Sequence, residues 1–424
     1  MAAALIPEEA GTPQGLLGRL RSEFDFVKGN FLIMVLSWLV LDFFTELPGT
    51  YYTLYVEALG ASTTTIGLIF AAQNLASALV QFPGGYLADK YGRKWLISTM
   101  TFVAALARIF FVYAPSWEWI LLGAILSGFA AIYQPALNAI VADSVPKEKR
   151  GMGFSIINLI ASVSTTPAPL FAGYLLTMYG LVPSMRLTYK LVIGGFLVAA
   201  FMRLRLKETV QSPARINVGE MLGEYPASLR ESIRVWGTVP PSAFTLFLVD
   251  IVMNFTSGLF MPVLAFYIIR DLGIGELRYS YLMAALPISM ILLALPAGKL
   301  VDVAGKKRPI MAAFVLWGAA ILIMVNGDFP RLLVAMIMVG LIMVMANSAI
   351  SALQADLIPR EHRGKANGSR GFFCLIAGSL GVLAGGWLYE NVSHSTPFLL
   401  QAVIVLVPLV MVHLCVEEPK KTEG

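Results

Sequence analysis

Twelve apolar runs, each long enough to cross a bilayer, leave this chain few folds to choose from. A helix rises about 1.5 Å per residue, so about 20 apolar residues span the hydrocarbon. Runs of that order lie at 29–56, 64–87, 95–114, 117–142, 152–178, 187–204, 244–269, 279–300, 308–326, 331–355, 369–390 and 396–416. Of the 424 residues, 57% are hydrophobic and 13% charged, against about 25% charged in a soluble domain. A soluble chain of this length could not hide so much apolar surface in its core. An all-α membrane protein is therefore predicted, with the lipid bilayer as its solvent. The net charge of +5 is small, and the sequence has no basic tail or low-complexity segment, so nucleic acid is not an expected partner.

Residues 205–243 divide the runs into two groups of six. This stretch is polar, carries Arg205, Lys207, Arg215, Arg230 and Arg234, and contains Pro213, Pro226, Pro240 and Pro241. It reads as a linker, with a short surface helix predicted around 217–235. The predicted order is an N-terminal segment 1–28, a six-helix bundle 29–204, the linker 205–243, a second bundle 244–416 and a tail 417–424. No basic n-region leads directly into an apolar h-region, so no cleaved signal is expected. Lys and Arg set orientation. All but six of the 31 fall on the side of the termini and linker; the six are Arg108, Arg186, Lys190, Arg270, Arg278 and Arg331. Both termini and the linker are thus predicted to be cytoplasmic, in a multi-pass protein of the cell membrane.

A shift of 213 residues superposes the two groups without a gap from helix 1 to helix 5. Gly60 meets Gly273. Pro83, Gly85, Leu87, Asp89, Gly92 and Lys94 meet Pro296, Gly298, Leu300, Asp302, Gly305 and Lys307. Asp143, Pro146, Glu148, Arg150 and Gly151 meet Asp356, Pro359, Glu361, Arg363 and Gly364, and Leu170, Gly173 and Leu175 meet Leu383, Gly386 and Leu388. Two parallel six-helix repeats follow.

These repeated residues carry a resemblance to the major facilitator superfamily. Gly85-Tyr86-Leu87-Ala88-Asp89-Lys90-Tyr91-Gly92-Arg93-Lys94 looks like that family's signature loop between helices 2 and 3, and Gly298, Leu300, Asp302, Gly305, Lys306 and Lys307 form its degenerate copy between helices 8 and 9. The resemblance covers nearly the whole chain and implies the major facilitator fold, with its site between the halves near midplane. It also implies that the loop around Gly85, Asp89, Gly92, Arg93, Gly298, Asp302 and Gly305 acts as a cytoplasmic latch. A carboxylate at a helix end can cap N–H groups and pair with Arg, and the glycines would allow the tight turn. Ala168-Pro169-Leu170-Phe171-Ala172-Gly173 resembles the antiporter motif G-P-x-x-G-G, with alanine at two glycines. Its repeat partner contains Gly381 and Gly385, within a stripe of small residues at Gly371, Cys374, Gly378, Gly381 and Gly385 that would let helices approach closely. The R-x-x-Q-G arginine of the drug-efflux branch is missing from Ala124-Ile125-Leu126-Ser127-Gly128.

Idle charges are rare in hydrocarbon, so intramembrane polar groups are candidate functional residues. Asp42 and Glu46 lie four apart, on one face of helix 1, as do Asp250 and Asn254 on helix 7. Helix 4 carries Tyr133, Gln134 and Asn138; helix 10 carries Asn347 and Gln354; helix 2 has Gln73 and helix 3 Arg108. The family resemblance implies that helices 1, 4, 7 and 10 line the cavity. Asp42, Glu46 and Asp250 align with Phe255, Leu259 and Ser37. The acids thus break the symmetry that the loops keep. Desolvated, mutually close carboxylates suit proton coupling; pairing with Arg108 as a structural bridge is the alternative. Cys374 and Cys415 lie in apolar runs and are expected to be buried thiols. His362, His394 and His413 have no metal-ligand spacing, so no metal or cofactor is predicted, and no enzyme's nucleophile–base pair is visible.

The sequence predicts a monomeric secondary active transporter that couples protons to export of small organic solutes, resembling drug-efflux carriers. Uptake by symport or uniport is the alternative, and a non-transporting sensor the different class. Acids in an aromatic cavity favour lipophilic cations; several fixed Arg or Lys residues would favour organic anions, with Arg108 and Lys190 the candidates.

Overall fold

A computed structural model describes residues 24–146, 149–210, 223, 226, 229–230, 233–359 and 362–418. Twelve helices are long and apolar enough to cross a membrane: α1 Gly29–Gly49, α2 Thr63–Tyr91, α3 Arg93–Val112, α4 Trp117–Ser144, α5 Leu159–Tyr179, α6 Leu181–Arg203, α7 Pro241–Phe260, α8 Glu276–Val301, α9 Lys307–Met324, α10 Phe329–Leu357, α11 Arg363–Asn391 and α12 Thr396–Cys415. Leu292 and Leu295 of α8 are 70% and 80% exposed, which suits a chain solvated by lipid rather than water.

Pairings in one half recur in the other. α2 packs on α4 and α3 on α6; correspondingly, α8 packs on α10 and α9 on α12. The halves meet along two seams, α2 against α11 and α5 against α8, which the same repeat interchanges. The architecture is thus two parallel six-helix repeats facing each other.

The small-residue stripe of α11 serves two neighbours. A Cβ on Gly381 or Gly385 would strike the carbonyls of Phe255 or Leu259 on α7, inside the second half. One on Gly371 would strike Gln81 of α2, across the seam. Gly173 of α5 faces Ser280 of α8 across the other seam, and Pro169 sits buried where α5 resumes as Ala168–Tyr179 after its break at Pro167.

Several boundaries move. The first apolar run, read as 29–56, is two helices, Gly29–Gly49 and Tyr52–Ala58, with Pro48 in the last turn of α1. The seventh, read as 244–269, ends as a helix at Phe260, just before Pro262, and continues through a π-helical turn at Tyr267–Asp271. α11 begins at Arg363 rather than 369, because polarity marks the edge of the hydrocarbon, not the end of a helix. Arg203 and Arg370, counted with the loop cations, lie inside α6 and α11. Cys374 is half-buried and Cys415 exposed, so the expected burial does not hold for Cys415; an apolar run can face lipid as well as protein. The surface helix predicted around 217–235 and the segment 1–28 fall largely outside the described residues. Within the linker, a 3-10 turn at Val235–Gly237 docks on α11, where Trp236 Nε1 donates to Ser369 Oγ at 2.9 Å.

Gly385→Ala should lower the unfolding temperature in detergent, followed by tryptophan fluorescence, as a destabilisation of about 1–3 kcal/mol from overpacking. Gly298→Ala, where a Cβ meets open space, should leave it unchanged.

Candidate functional site

Three adjoining cavities run through the first half and the space beside it. The first, about 350 Å³, is lined by Glu46, Phe70, Phe111, Tyr189 and, from the second half, Met261 and Tyr279. The second, about 260 Å³, is lined by Asp42, Tyr133, Gln134, Arg108 and Arg203. Thr45, Gln73 and Arg108 line both. The third, about 1010 Å³, contains Asp89, Asn138 and Gln134 with Lys365 and Asn367 of α11. Ser77 and Gln134 join it to the second. A path of polar side chains therefore leads inward from the face that carries the linker and the ends of α6 and α12, here the terminal face.

Asp42 and Glu46 share a face of α1 as expected, yet they open into neighbouring cavities, with Thr45 between them. Neither carboxylate forms an ion pair or side-chain hydrogen bond with the described residues. Arg108 does not bridge to them. Its Nη1 donates to Ser127 Oγ at 2.6 Å, and its guanidinium lies over Phe111 and Phe196. Arg203 is fully buried. Its Nε donates to Ser37 Oγ at 3.2 Å and its Nη1 to Thr101 Oγ1 at 2.9 Å. Sequence reasoning missed this residue by counting it as a loop cation. The signal was there in the helical stripe Val192, Phe196, Ala199, Arg203, every member of which is buried. Lys190, the other candidate cavity cation, is exposed on α6.

The residues of α7 and α10 do not join this path. Asp250 is buried and held in an ion pair with Arg370 Nη1 at 3.0 Å; it also accepts from Gln354 Nε2 at 2.8 Å. Asn254 is exposed and its Nδ2 donates back to the Asp250 carbonyl at 2.9 Å. Asn347 is exposed on α10. The structure thus brings Asp42, Glu46, Gln73, Arg108, Tyr133, Gln134 and Asn138 together, and places Asp250, Asn254, Asn347 and Gln354 elsewhere.

The signature loop is built from charge on both sides of the repeat. Arg93 Nη2 pairs with Asp89 at 3.1 Å, and its Nη1 pairs with Asp143 at the end of α4. In the second copy Lys306 pairs with Asp356, the repeat partner of Asp143; the Asp302 side chain lies outside the described residues. The turns themselves sit at Gly92 (φ 101°) and Gly305 (φ 79°). Gly85 and Gly298 lie within the helical α2 and α8, and both have room for a Cβ. The tight-turn role assigned to them belongs to the other two. The helix cap is not Asp89 either. Glu208, beyond α6, accepts from the N–H groups of Arg93 and Lys94 at 3.0 Å each. Glu418, beyond α12, accepts from the N–H of Lys306 at 2.7 Å and from that of Lys307. Partial burial pushes the Glu208 carboxyl up, but the backbone N–H groups of Arg93, Val210, Lys94 and Thr209 together pull it below the usual glutamate value.

At the opposite, far face the halves are tied directly. Arg270 Nη1 donates to Glu57 Oε1 at 2.5 Å, the Thr64 N–H donates to Glu390 Oε2 at 2.9 Å, and Tyr51 Oη donates to the Glu276 carbonyl at 2.7 Å.

The sequence model of the Major Facilitator Superfamily matches residues 31–249 and 246–424. A multi-drug resistance efflux pump, PmrA of Streptococcus pneumoniae, is 26% identical over 372 residues, 84% of this chain and 86% of the pump. The multidrug resistance protein MdtG of Escherichia fergusonii is 25% identical over 398 residues, 89% of this chain and 92% of its own. Among solved structures, the nucleoside transporter NupG superposes with a TM-score of 0.69 at 16% identity, covering 91% of this chain and 99% of that one. A bacterial homolog of the human lysosomal transporter Spinster, in an inward-facing and unoccupied conformation, superposes at 0.69 with 17% identity over 93% and 97% of the two chains. These likenesses to solved structures show the fold alone.

Glu208→Gln should loosen the start of α3. A cap is worth about 1 kcal/mol, which corresponds to a roughly fivefold rise in hydrogen exchange at residues 93–94. Because the folded carboxyl titrates below the unfolded value, its contribution is present above that value and is lost as pH falls through the folded one. Wild type should therefore show the same loosening in acid, corrected for the intrinsic exchange rate, and the variant should show no such acid response.

Proposed function

The chain belongs to the Major Facilitator Superfamily, and from that premise we propose that it is a proton-coupled secondary active transporter that exports small organic solutes by alternating access. One observation carries this reading: Asp42 and Glu46 face two adjoining cavities without a directly bonded cation, on a path that opens to the terminal face. A carboxylate held this way can exchange a proton as the carrier changes sides. The multidrug efflux relatives support export. The bias of Lys and Arg supports a cytoplasmic terminal face, so the far-face ties and the wide terminal cavity together describe an inward-facing carrier. Asp89, Arg93 and Asp143, with Lys306 and Asp356, then form the cytoplasmic latch. Asp250, already committed to Arg370 and Gln354, serves as a structural anchor of the second half rather than as a coupling acid.

Epitope tags at the N-terminus, at position 220 and at the C-terminus should all be cytoplasmic; an external tag at 220 would remove the two-by-six arrangement in the membrane. In proteoliposomes with an imposed pH gradient, Glu46→Gln and Asp42→Asn should each reduce gradient-driven accumulation at least tenfold, about 1.4 kcal/mol, while sparing substrate-for-substrate exchange. If both variants still concentrate substrate on the gradient, these acids are structural and proton coupling through them is wrong.

A further inference from the structure

We propose that the polar cavity of the first half is an anion-recognition site, and that the transported molecule is an amphiphilic organic anion whose carboxylate or sulfonate lodges between Arg203 and Arg108. This rests on the transport reading above but is independent of direction.

The charge balance of the cavity points there. Its lining includes two guanidiniums and one carboxylate, those of Arg108, Arg203 and Asp42. Even with Asp42 ionised, the lining of this cavity is one positive charge in excess; the next carboxylate, Glu46, faces the adjoining cavity, which Arg108 also lines. Inside a membrane an uncompensated charge is strongly unfavourable. Arg203 carries the same imbalance at the level of single atoms. The residue is 0% exposed, its Nε and Nη1 are held by Ser37 and Thr101, and its Nη2 has no hydrogen-bond partner among the described residues. The Tyr133 ring centroid lies 5.7 Å from the guanidinium carbon. A guanidinium presents donors in a fork that matches a carboxylate or sulfonate.

The repeat supplies an internal control. Ser37 of α1 and Asp250 of α7 are equivalent positions, and each holds an arginine of its own half: the fully buried Arg203 of α6 in the first, the partly exposed Arg370 of α11 in the second. In the second half the equivalent residue is an acid, and the pair neutralises itself. In the first it is a serine, which accepts a hydrogen bond but brings no charge. Asp42 lines the same cavity as Arg203 without forming a direct ion pair. The missing negative charge is therefore left for a ligand, and Asp42 is the resident competitor that must accept a proton or turn aside.

The rest of the molecule has a place as well. Arg108 and Thr45 also line the neighbouring cavity of about 350 Å³, whose walls are largely apolar: Phe70, Phe111, Val192, Met261, Leu264 and Met283. Three of these come from the first half and three from the second. An anion seated on Arg203 and Arg108 would thus place an apolar body between the halves, where it could report occupancy to both.

The test is equilibrium binding to the purified full-length protein in nanodiscs, using three probes of matched shape: 2-naphthoate, neutral 2-naphthamide and 2-naphthyltrimethylammonium. Naphthoate should bind at least tenfold more tightly than the other two. Arg203→Gln and Arg108→Gln should each erase that preference by weakening naphthoate at least tenfold more than the amide, which a general loss of structure would not do. Arg203→Lys, which keeps the charge, should retain part of the preference and serves if Arg203→Gln does not fold. Tighter binding of the cation, or an anion preference that survives both glutamine variants, overturns the proposal. Naphthoate binding with the expected losses, but no movement across a proteoliposome membrane, would uphold the site and remove the transport reading instead.

Discussion

Hydrocarbon offers no hydrogen bonds, and the rest of the structure depends on that constraint. Backbone groups must be satisfied within the segment that carries them, which makes the spans helical. Side chains face the same demand. Arg203 takes two hydroxyls, from Ser37 and Thr101, and Arg370 takes Asp250. Where a buried group is left without a partner among the described residues, as at Arg203 Nη2, that demand is not met, and the group is costly. Asp42 and Glu46 carry a related cost. Each is a group that a purely architectural sequence would replace with an apolar residue, as the second half does with Phe255 and Leu259 at the equivalent positions.

The terminal face shows how duplicated architecture tolerates change in detail. Both halves join the start of one helix to the end of another by a basic–acidic pair, Arg93 with Asp143 and Lys306 with Asp356. Both cap the start of α3 or α9 with a glutamate that arrives from the end of its own bundle. The caps use different residues of the exit segment, since Glu208 and Glu418 do not align when the halves are superposed at the repeat offset. What is preserved is the electrostatic task of placing a carboxylate on exposed N–H groups at a helix start, not the register of the residue that performs it.

That difference explains what could be read from the sequence. The twelve spans and their division into six and six were legible, because each leaves a local or repeated pattern; that Arg93 and Lys306 pair with Asp143 and Asp356 was not read, although those two acids repeat. Boundaries were less so: Pro48 and Pro262 break or divert helices inside runs that stay apolar, and α11 extends through Arg363 and Lys365 into polar territory. At the site, residues on α1 to α4 came together as expected. Asn347 and Gln354 did not, because helical spacing specifies a face but not which neighbour that face meets. Arg203 and Arg370 were hidden by the counting that oriented the chain, in which a cation near a helix end is taken as belonging to the loop. Glu208 and Glu418 were hidden because no pattern of the repeat marks them.

The distribution of contacts between the halves bears on how such a molecule moves. The terminal-face ion pairs, Asp89 with Arg93, Arg93 with Asp143, and Lys306 with Asp356, each lie within one half, so each set can travel as a body. The far-face ties cross between halves: Glu57 with Arg270, Thr64 with Glu390, and Tyr51 with the Glu276 carbonyl. Opening that face must break them. The Arg270 and Glu57 side chains are 53% and 27% exposed, and pairs near a surface contribute about 0–1 kcal/mol each. Breaking a few such contacts amounts to a few kcal/mol, within the range that ligand binding can shift. Along the α2–α11 seam, by contrast, Gly371 and Gly386 bring backbone and side chains of the two halves into close contact at both ends. A seam packed by glycine allows one helix to rotate on another with little side-chain interlocking to undo, so along it the Thr64–Glu390 tie at the far end is the polar contact that such a rotation has to break.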